Sequence, residues 1–271
     1  MPGFFIMERP IGVIDSGIGG LTVLRQIVED LPNEEYIYIA DSQNAPYGIK
    51  SKEEIKNLVF RLVDYLLLQN VKMIVVACNT ATAAAIYDLR EKYSLPIVGL
   101  EPAIKPAALN TKTKNIGVLA TEGTFRGNHF INTSNKYKDY VKIHMQVAKG
   151  LVELAEAGIF EGKEVDDLIE KYVKPLIECN IDYLVLGCTH YPLFYDSIKK
   201  FTGDNIKIID SAKPVAVRVK DLLMTNHILR SEIIKTKIHF ISTKHIDNLM
   251  LSVNKMFNVE QMNCVVEKVE I

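Results

Sequence analysis

Met73-Ile74-Val75-Val76-Ala77-Cys78-Asn79-Thr80 is the stretch from which the fold is read. Its apolar, partly β-branched start is short and suits a strand buried on both faces of a parallel sheet. The same arrangement returns at Tyr183-Leu184-Val185-Leu186-Gly187-Cys188-Thr189-His190, where the cysteine lies 110 positions after Cys78. Ile11-Gly12-Val13-Ile14 is echoed in turn by Ile116-Gly117-Val118-Leu119, 105 positions later. Two unrelated segments that share nearly one offset predict two structurally similar halves, each with a cysteine directly after an apolar strand.

Helical patterns fill the gaps between such runs, which also include Tyr36-Ile37-Tyr38-Ile39. Ile55, Leu58, Val59, Leu62, Val63 and Leu66 form one apolar face, and Ser51-Lys52-Glu53-Glu54 ahead of them reads as a capping box. A second helix carries Val165, Leu168, Ile169, Tyr172, Val173, Leu176 and Ile177, with Pro175 expected to kink it or end its regular part. Strand–helix alternation of this kind predicts an α/β fold: two similar open-sheet α/β domains with the active site in the cleft between them. The boundary falls near Leu100–Pro106, where two prolines interrupt the pattern. From about Ser211 a tail holds a helix (Val215 to Leu223) and a strand (Ile238 to Ile241). It is too little to stand alone and is expected to pack on the first half.

With 271 residues, 48% of them hydrophobic and 24% charged, the chain can bury a core and is not disordered. Thirty-two Lys and Arg against thirty-three Asp and Glu argue against a nucleic-acid or membrane surface built on bulk charge. Four cysteines with no C-x-x-C pair make no disulfide scaffold, so a reducing, cytoplasmic setting is the simplest reading. Phe4-Phe5-Ile6-Met7 is too short for a signal segment and Glu8 follows at once. No stretch approaches the roughly 18 apolar residues of a membrane helix.

Ligands of open parallel sheets bind beyond the carboxyl ends of the strands, where Cys78 and Cys188 are both predicted to lie. A helix following each would aim free N–H groups and its positive dipole end at that point, favouring a thiolate and an anionic substrate. Asn79-Thr80 and Thr189 suit caps for those helices or partners for a bound carboxylate. Two thiols across a cleft admit three chemistries. A redox disulfide requires the halves to close to bonding distance. A metal site with Cys188 and His190 lacks evident third and fourth ligands. General acid–base catalysis, with one thiolate removing a proton and the opposite thiol supplying one, inverts a carbon stereocentre and alone accounts for the near-symmetry.

Asp15 ends the first strand and is read equally as a helix cap or an active-site group. Ser16-Gly17-Ile18-Gly19-Gly20 fails the dinucleotide pattern, having Thr22 where the last glycine is required, and suits a turn that lets the backbone approach a small ligand. His190, two residues from Cys188, is placed to protonate, orient or activate it. Ala45-Pro46-Tyr47-Gly48 is a turn reaching the same edge. Cys179 and Cys264 lack this context and are read as inert.

Four motifs now carry a family. Asp15-Ser16-Gly17-Ile18-Gly19-Gly20-Leu21-Thr22-Val23, then Ala40-Asp41 with Pro46-Tyr47-Gly48, then Val76-Ala77-Cys78-Asn79-Thr80-Ala81-Thr82, then Gly187-Cys188-Thr189-His190-Tyr191-Pro192-Leu193 together resemble the glutamate racemases. They occur in the right order and cover the chain from about Ile11 to Ser211. Aspartate racemases share a cysteine pair on the same fold, but the last motif resembles the glutamate branch more closely.

The resemblance implies a cofactor-independent, metal-free, two-base racemase that interconverts L- and D-glutamate, supplying D-glutamate for peptidoglycan. It implies two α/β domains, residues 1–101 with 211–271 and residues 102–210, the first completed by the tail. Cys78 and Cys188 match the family's acid/base cysteines. Asp15 and His190 match residues that assist the flanking thiols, and Glu156 matches a further acidic catalytic residue. Asp15, Ser16, Asp41, Tyr47, Gly48, Asn79, Thr80, Thr189 and His190 match substrate-binding positions. A homodimer is expected, with glutamate as the small-molecule partner and neither nucleic acid nor membrane required.

Three departures stand beside the likeness. Many members carry Cys-Pro where this chain reads Ala148-Lys149, Met1–Arg9 extends beyond the pattern, and the tail after Ile238 matches poorly. The competing readings are an aspartate racemase of the same fold and a two-lobed amino-acid sensor whose cysteines only line the cleft. A pyridoxal-phosphate racemase would need a Schiff-base lysine, which the sequence does not single out.

Overall fold

β1 (Ile11–Asp15) is buried along its whole length, as a strand covered by helices on both faces must be. It lies between β2 (Glu35–Ala40) and β3 (Met73–Val76) and runs parallel to both. In this computed structural model, which describes residues 6–244 and 246–271, β4 (Ile97–Gly99) flanks β3 on its far side. Phe4-Phe5 and most of the Met1–Arg9 extension lie outside the described residues.

A second set of strands comprises β5 (Asn115–Ala120), β6 (Lys142–Val147), β7 (Tyr183–Gly187) and β8 (Lys207–Ile209), and β9 (Lys237–Ser242) and β10 (Asn263–Lys268) come last. They form two parallel sheets, ordered β10-β9-β2-β1-β3-β4 and β6-β5-β7-β8. Without β9 and β10 the two orders coincide, β1 answering to β5 and β3 to β7. The internal repeat read from the offsets is therefore a repeat of topology.

Helices α1 (Leu21–Asp30), α2 (Lys52–Leu68), α3 (Asn79–Lys92) and α4 (Ile104–Asn110) lie along the first half of the chain. Next come α5 (Glu122–Arg126), α6 (Asn128–Tyr137), α7 (Leu151–Glu156), α8 (Lys163–Glu178) and α9 (Tyr195–Thr202), and the tail adds α10 (Ala212–Thr225) and α11 (Asp247–Met256). The capping box of α2 is formed: Ser51 Oγ accepts from the Glu54 N–H at 3.3 Å, and the Glu54 carboxylate accepts from the Ser51 N–H at 2.9 Å. Ile55, Val59, Leu62, Val63 and Leu66 of its apolar face are buried. Pro175 does not end α8, which continues through it to Glu178. Val165, Ile169, Tyr172, Val173 and Leu176 are buried in one core cluster, and that packing holds the last turn against the proline's lost hydrogen bond.

The tail joins the first sheet. β9 pairs with β2 in register from Glu35↔Lys237 to Ala40↔Ser242, and β10 pairs with β9. α10 packs along α1, with Val215, Ala216, Val219 and Leu223 in the core that holds Leu21, Leu24 and Ile27. Where the chain passes between the sheets, Ser211 Oγ donates to the Glu101 carbonyl at 2.5 Å, tying the outgoing crossing to the returning one.

The amino ends of the first sheet's strands are knotted by a buried ion pair. Lys72, just before β3, places Nζ 2.5 Å from Glu34, just before β2, and both side chains are almost wholly buried. Lys72 also donates to the Met7 carbonyl at 2.6 Å, and the Arg230 N–H donates to the second Glu34 oxygen at 2.9 Å. The Arg230 guanidinium donates to the Glu8 carbonyl. Lys72→Ala would strand the Glu34 carboxylate in the interior, so urea unfolding is expected to show a loss of about 3–5 kcal/mol. Arg25→Ala, at the exposed pair with Glu29, should leave the midpoint nearly unchanged.

Candidate active site

In each sheet the chain order reverses between the first and third strands of the set, β1 and β3 in one, β5 and β7 in the other. A crevice opens beyond the carboxyl ends of strands at such a switch point. The chain leaves these four ends through Asp15-Ser16, Cys78-Asn79-Thr80, Thr121 and Cys188-Thr189-His190. All of these except Asp15 line one cavity of about 230 Å³, together with Tyr47 and Gly48. The cysteines come from different sheets, both are free thiols, and both are buried.

Cys78 is the N-cap of α3. Its Sγ accepts from the Ala81 N–H at 3.4 Å, as a serine cap would, and donates to Ser16 Oγ at 3.7 Å. The expectation that the helix start favours a thiolate is reversed here. Burial pushes the Cys78 thiol well above its ordinary range, the nearby Asp15 pushes it further, and the Ala81 N–H only partly opposes them. Cys188 differs in its surroundings. No α-helix begins beside it; a 3₁₀ turn, Tyr191–Phe194, follows, and α9 starts at Tyr195. The partner of its Sγ is His190 Nδ1, 3.8 Å away.

His190 is held from behind by Glu156, with Nε2 and Oε1 2.7 Å apart. Burial alone would lower the imidazole's affinity for its second proton, but the contacts with Cys188 and Glu156 outweigh it and hold His190 above its ordinary value. Glu156 ends α7 yet reaches the first sheet's turn, where Oε1 accepts from the Ile18 N–H at 2.7 Å and Oε2 from Ser42 Oγ at 3.4 Å. Asn248 of α11 donates to its carbonyl at 2.6 Å.

The glycines before α1 make room for this contact. A Cβ on Gly17 would lie 1.8 Å from Glu156 Oε1, and one on Gly19 would lie 2.4 Å from His190 Nδ1 and 2.7 Å from Thr189 Oγ1. The glycines of the turn thus admit side chains of the other half, while Ser16 of the same turn lines the cavity. Asp15 does not cap α1, whose N-cap is Gly20. Its carboxylate accepts from the Gly17 N–H at 2.8 Å and, across the halves, from Thr189 Oγ1 at 3.1 Å.

Of the residues singled out from sequence, Ser16, Tyr47, Gly48, Cys78, Asn79, Thr80, Cys188, Thr189 and His190 line the cavity, whereas Asp15, Asp41 and Glu156 stand behind it. The Asp41 carboxylate is engaged by Tyr47 Oη at 2.6 Å, Thr243 Oγ1 at 2.9 Å and Asn44 Nδ2 at 3.0 Å, so it fixes the Tyr47 turn. Asn79 Nδ2 is a buried donor with no partner among the described residues, on a side chain that lines the cavity. Sequence reading missed Thr121, whose Oγ1 lies 2.8 Å from Thr80 Oγ1. The offset of 105 that relates β1 to β5 carries Ser16 onto Thr121 and was sufficient to find it. Glu122, Lys149 and Glu153, also in the lining, were missed as well. Among the described residues no group of three His, Cys, Asp or Glu side chains is placed to hold a metal ion, and no helix is long and apolar enough to cross a membrane.

The sequence profile of the Asp/Glu/Hydantoin racemase family matches residues 11–219. A glutamate racemase of Ectopseudomonas mendocina is 43% identical over 226 residues, covering 83% of this chain and 86% of that one. The crystal structure of a glutamate racemase isoform from Bacillus anthracis superimposes with a TM-score of 0.87 at 33% identity, covering 98% of this chain and 99% of that one. The enzyme from Francisella tularensis, solved in complex with D-glutamate, gives a TM-score of 0.83 at 30% identity, covering 97% and 98%.

Asp15 offers a check on this geometry. Burial raises its carboxyl from 3.8 to about 6, against the opposing pull of His190 and the Gly17 N–H. The native state therefore holds this proton more tightly than the unfolded chain. Ionisation of Asp15 costs the fold nothing well below pH 3.8 and up to about 3 kcal/mol once the pH has passed about 6. Asp15→Asn is expected to unfold in urea nearly with the wild type at about pH 4, to gain on it up to about pH 6, and to keep a constant lead above that.

Proposed function

Since the chain belongs to the Asp/Glu/Hydantoin racemase family, we propose that it interconverts L- and D-glutamate without a cofactor, by proton transfer between the substrate Cα and two cysteines. The observation that carries this reading is the pair of free thiols, Cys78 and Cys188, brought to one cavity from the switch points of two sheets. The D-glutamate held by the similar Francisella tularensis enzyme supports the choice of substrate.

One cysteine, as thiolate, removes the α-proton, and the other, as thiol, delivers a proton to the opposite face; the roles exchange with the handedness of the substrate. The cavity is small and walled by both halves, so bound glutamate excludes water that would otherwise compete for the carbanion. The unpartnered Asn79 Nδ2, with the Ser16 hydroxyl and the hydroxyl pair of Thr80 and Thr121, supplies donors for substrate carboxylate as negative charge develops. His190 assists Cys188, to which it is adjacent, and Glu156 orients His190. Asp15 acts on the Cys78 side through its field, and Asp41 fixes Tyr47 and Gly48 against the substrate. The domains are residues 1–101 with 211–271 and residues 102–210, so the substrate lies at their junction. A cytoplasmic homodimer supplying D-glutamate for peptidoglycan completes the reading.

The test is purified protein with L-glutamate in D₂O and no added cofactor, followed by polarimetry and by NMR of the α-position, with aspartate alongside. Loss of rotation together with α-deuteration of glutamate is the expected result. Deuteration of aspartate alone would reassign the substrate, and binding without exchange would make the protein a sensor. Cys78→Ala and Cys188→Ala should each lower racemisation at least about 10²–10⁴-fold while glutamate still binds. Near-normal turnover in either variant would refute the two-base scheme.

A further inference from the structure

We propose that Lys149 is the cation at the mouth of the substrate cavity that draws in the anionic dicarboxylate and offsets Glu153, a carboxylate in the same lining. This rests on the racemase reading above and adds a specificity-determining residue to it. Lys149 lies at the pair Ala148-Lys149, where the chain departs from the Cys-Pro wording of the family motif.

Lys149 lines the cavity and is nevertheless solvent-exposed, which places it at the opening. Glu153 is exposed in the same lining. Among the described residues no ion pair or hydrogen bond engages the Lys149 ammonium or the Glu153 carboxylate, whereas Glu122 is paired with Arg126. Glutamate near neutral pH carries two carboxylates and one ammonium, a net negative charge. A mouth that bore Glu153 without Lys149 would repel it. With Lys149 present the opening is balanced, and the cation is free to meet an incoming carboxylate.

The backbone that carries Lys149 is fixed independently of its side chain. Tyr172 Oη donates to the Lys149 carbonyl at 2.9 Å, and Tyr191 Oη donates to the Ala148 carbonyl at 2.9 Å. The Ala148 N–H donates to the Ala120 carbonyl at 3.2 Å, and Gly150, at φ 89°, turns the chain into α7. Each of these bonds uses main-chain atoms of the loop. Substitution of the lysine side chain therefore removes a charge without moving the wall.

The experiment measures kcat and KM for glutamate with wild type, Lys149→Ala, Lys149→Glu and Lys149→Arg from low to high potassium chloride. At low salt Lys149→Ala is expected to raise KM roughly threefold to tenfold with kcat unchanged, and the difference should shrink as salt shortens the Debye length to a few ångströms. Lys149→Glu should raise KM further and improve with salt, and Lys149→Arg should behave as wild type. A Lys149→Ala salt profile parallel to that of wild type, or a fall in kcat with KM unchanged, would overturn the proposal. Calorimetric glutamate binding over the same salt series reads the charge effect separately. Wild-type binding without turnover would refute the racemase reading, while the response of Lys149→Ala binding to salt would still decide the role of Lys149.

Discussion

The hydrogen bond between His190 Nε2 and Glu156 Oε1, seated on the Gly17–Gly20 turn, is the contact from which the geometry of the site follows. Glu156 is aimed by the Ile18 N–H of the first sheet's turn, His190 is aimed by Glu156, and Cys188 meets His190. A side chain borne by the half of the chain that holds Cys188 is thus positioned by the backbone of the half that holds Cys78. The bond from Thr189 to Asp15 runs beside it and repeats the arrangement. A Cβ on Gly17 would crowd Glu156, and one on Gly19 would crowd His190 and Thr189, so these two glycines make room for the contacts that bring two sheets to one cavity.

Burial governs the charges in this junction. Desolvation raises Cys78 and Asp15 together, and the nearby Asp15 further disfavours ionisation of Cys78. His190 moves the opposite way from the effect of its burial because Cys188 and Glu156 surround it with acceptors. The two sulfurs therefore occupy equivalent places in the topology with unlike partners: a hydroxyl and a main-chain N–H at Cys78, an imidazole at Cys188. Duplication explains the positions, and local chemistry sets the difference. A substrate ammonium or a shared proton entering such a site would act on groups already held away from their ordinary equilibria.

The fold was legible where physics acts locally. Strands buried on both faces write themselves as unbroken apolar runs, and the α2 cap and stripe follow from helix geometry, so β1, β3, β5, β7 and α2 were readable. β10 was not: it is an edge strand with exposed and half-buried residues, and Asn263-Cys264-Val265-Val266-Glu267-Lys268 carries no such run. The 3₁₀ turn after Cys188 and the continuation of α8 through Pro175 depend on tertiary packing, which propensity does not contain. Within the site, the strand-end residues were visible because the offset marks them. Glu153 and Lys149 were not, because their role as lining comes from the orientation of α7 and its preceding loop, set by Tyr172 and Tyr191. Asp41 was found, but its place behind Tyr47 needs the partners Asn44 and Thr243, the latter far away in sequence.

The unlike partners of the two thiols bear on what a racemase can and cannot adjust. The enantiomers of glutamate have equal free energies in water, so the equilibrium constant is unity and no active site alters it. The ratio kcat/KM must then be equal for the two directions. An imidazole beside Cys188 and a hydroxyl beside Cys78 stabilise the enzyme forms and bound states unequally, which shifts kcat and KM for one direction in the same proportion. Asymmetry at the thiols is thus permitted at no cost to the overall reaction, and selection for two identical half-sites is absent. A charge at the entrance would instead act on both directions alike, since L- and D-glutamate carry the same charges to the same opening. Near-symmetry of the folds with local inequality at the sulfurs is what these constraints allow.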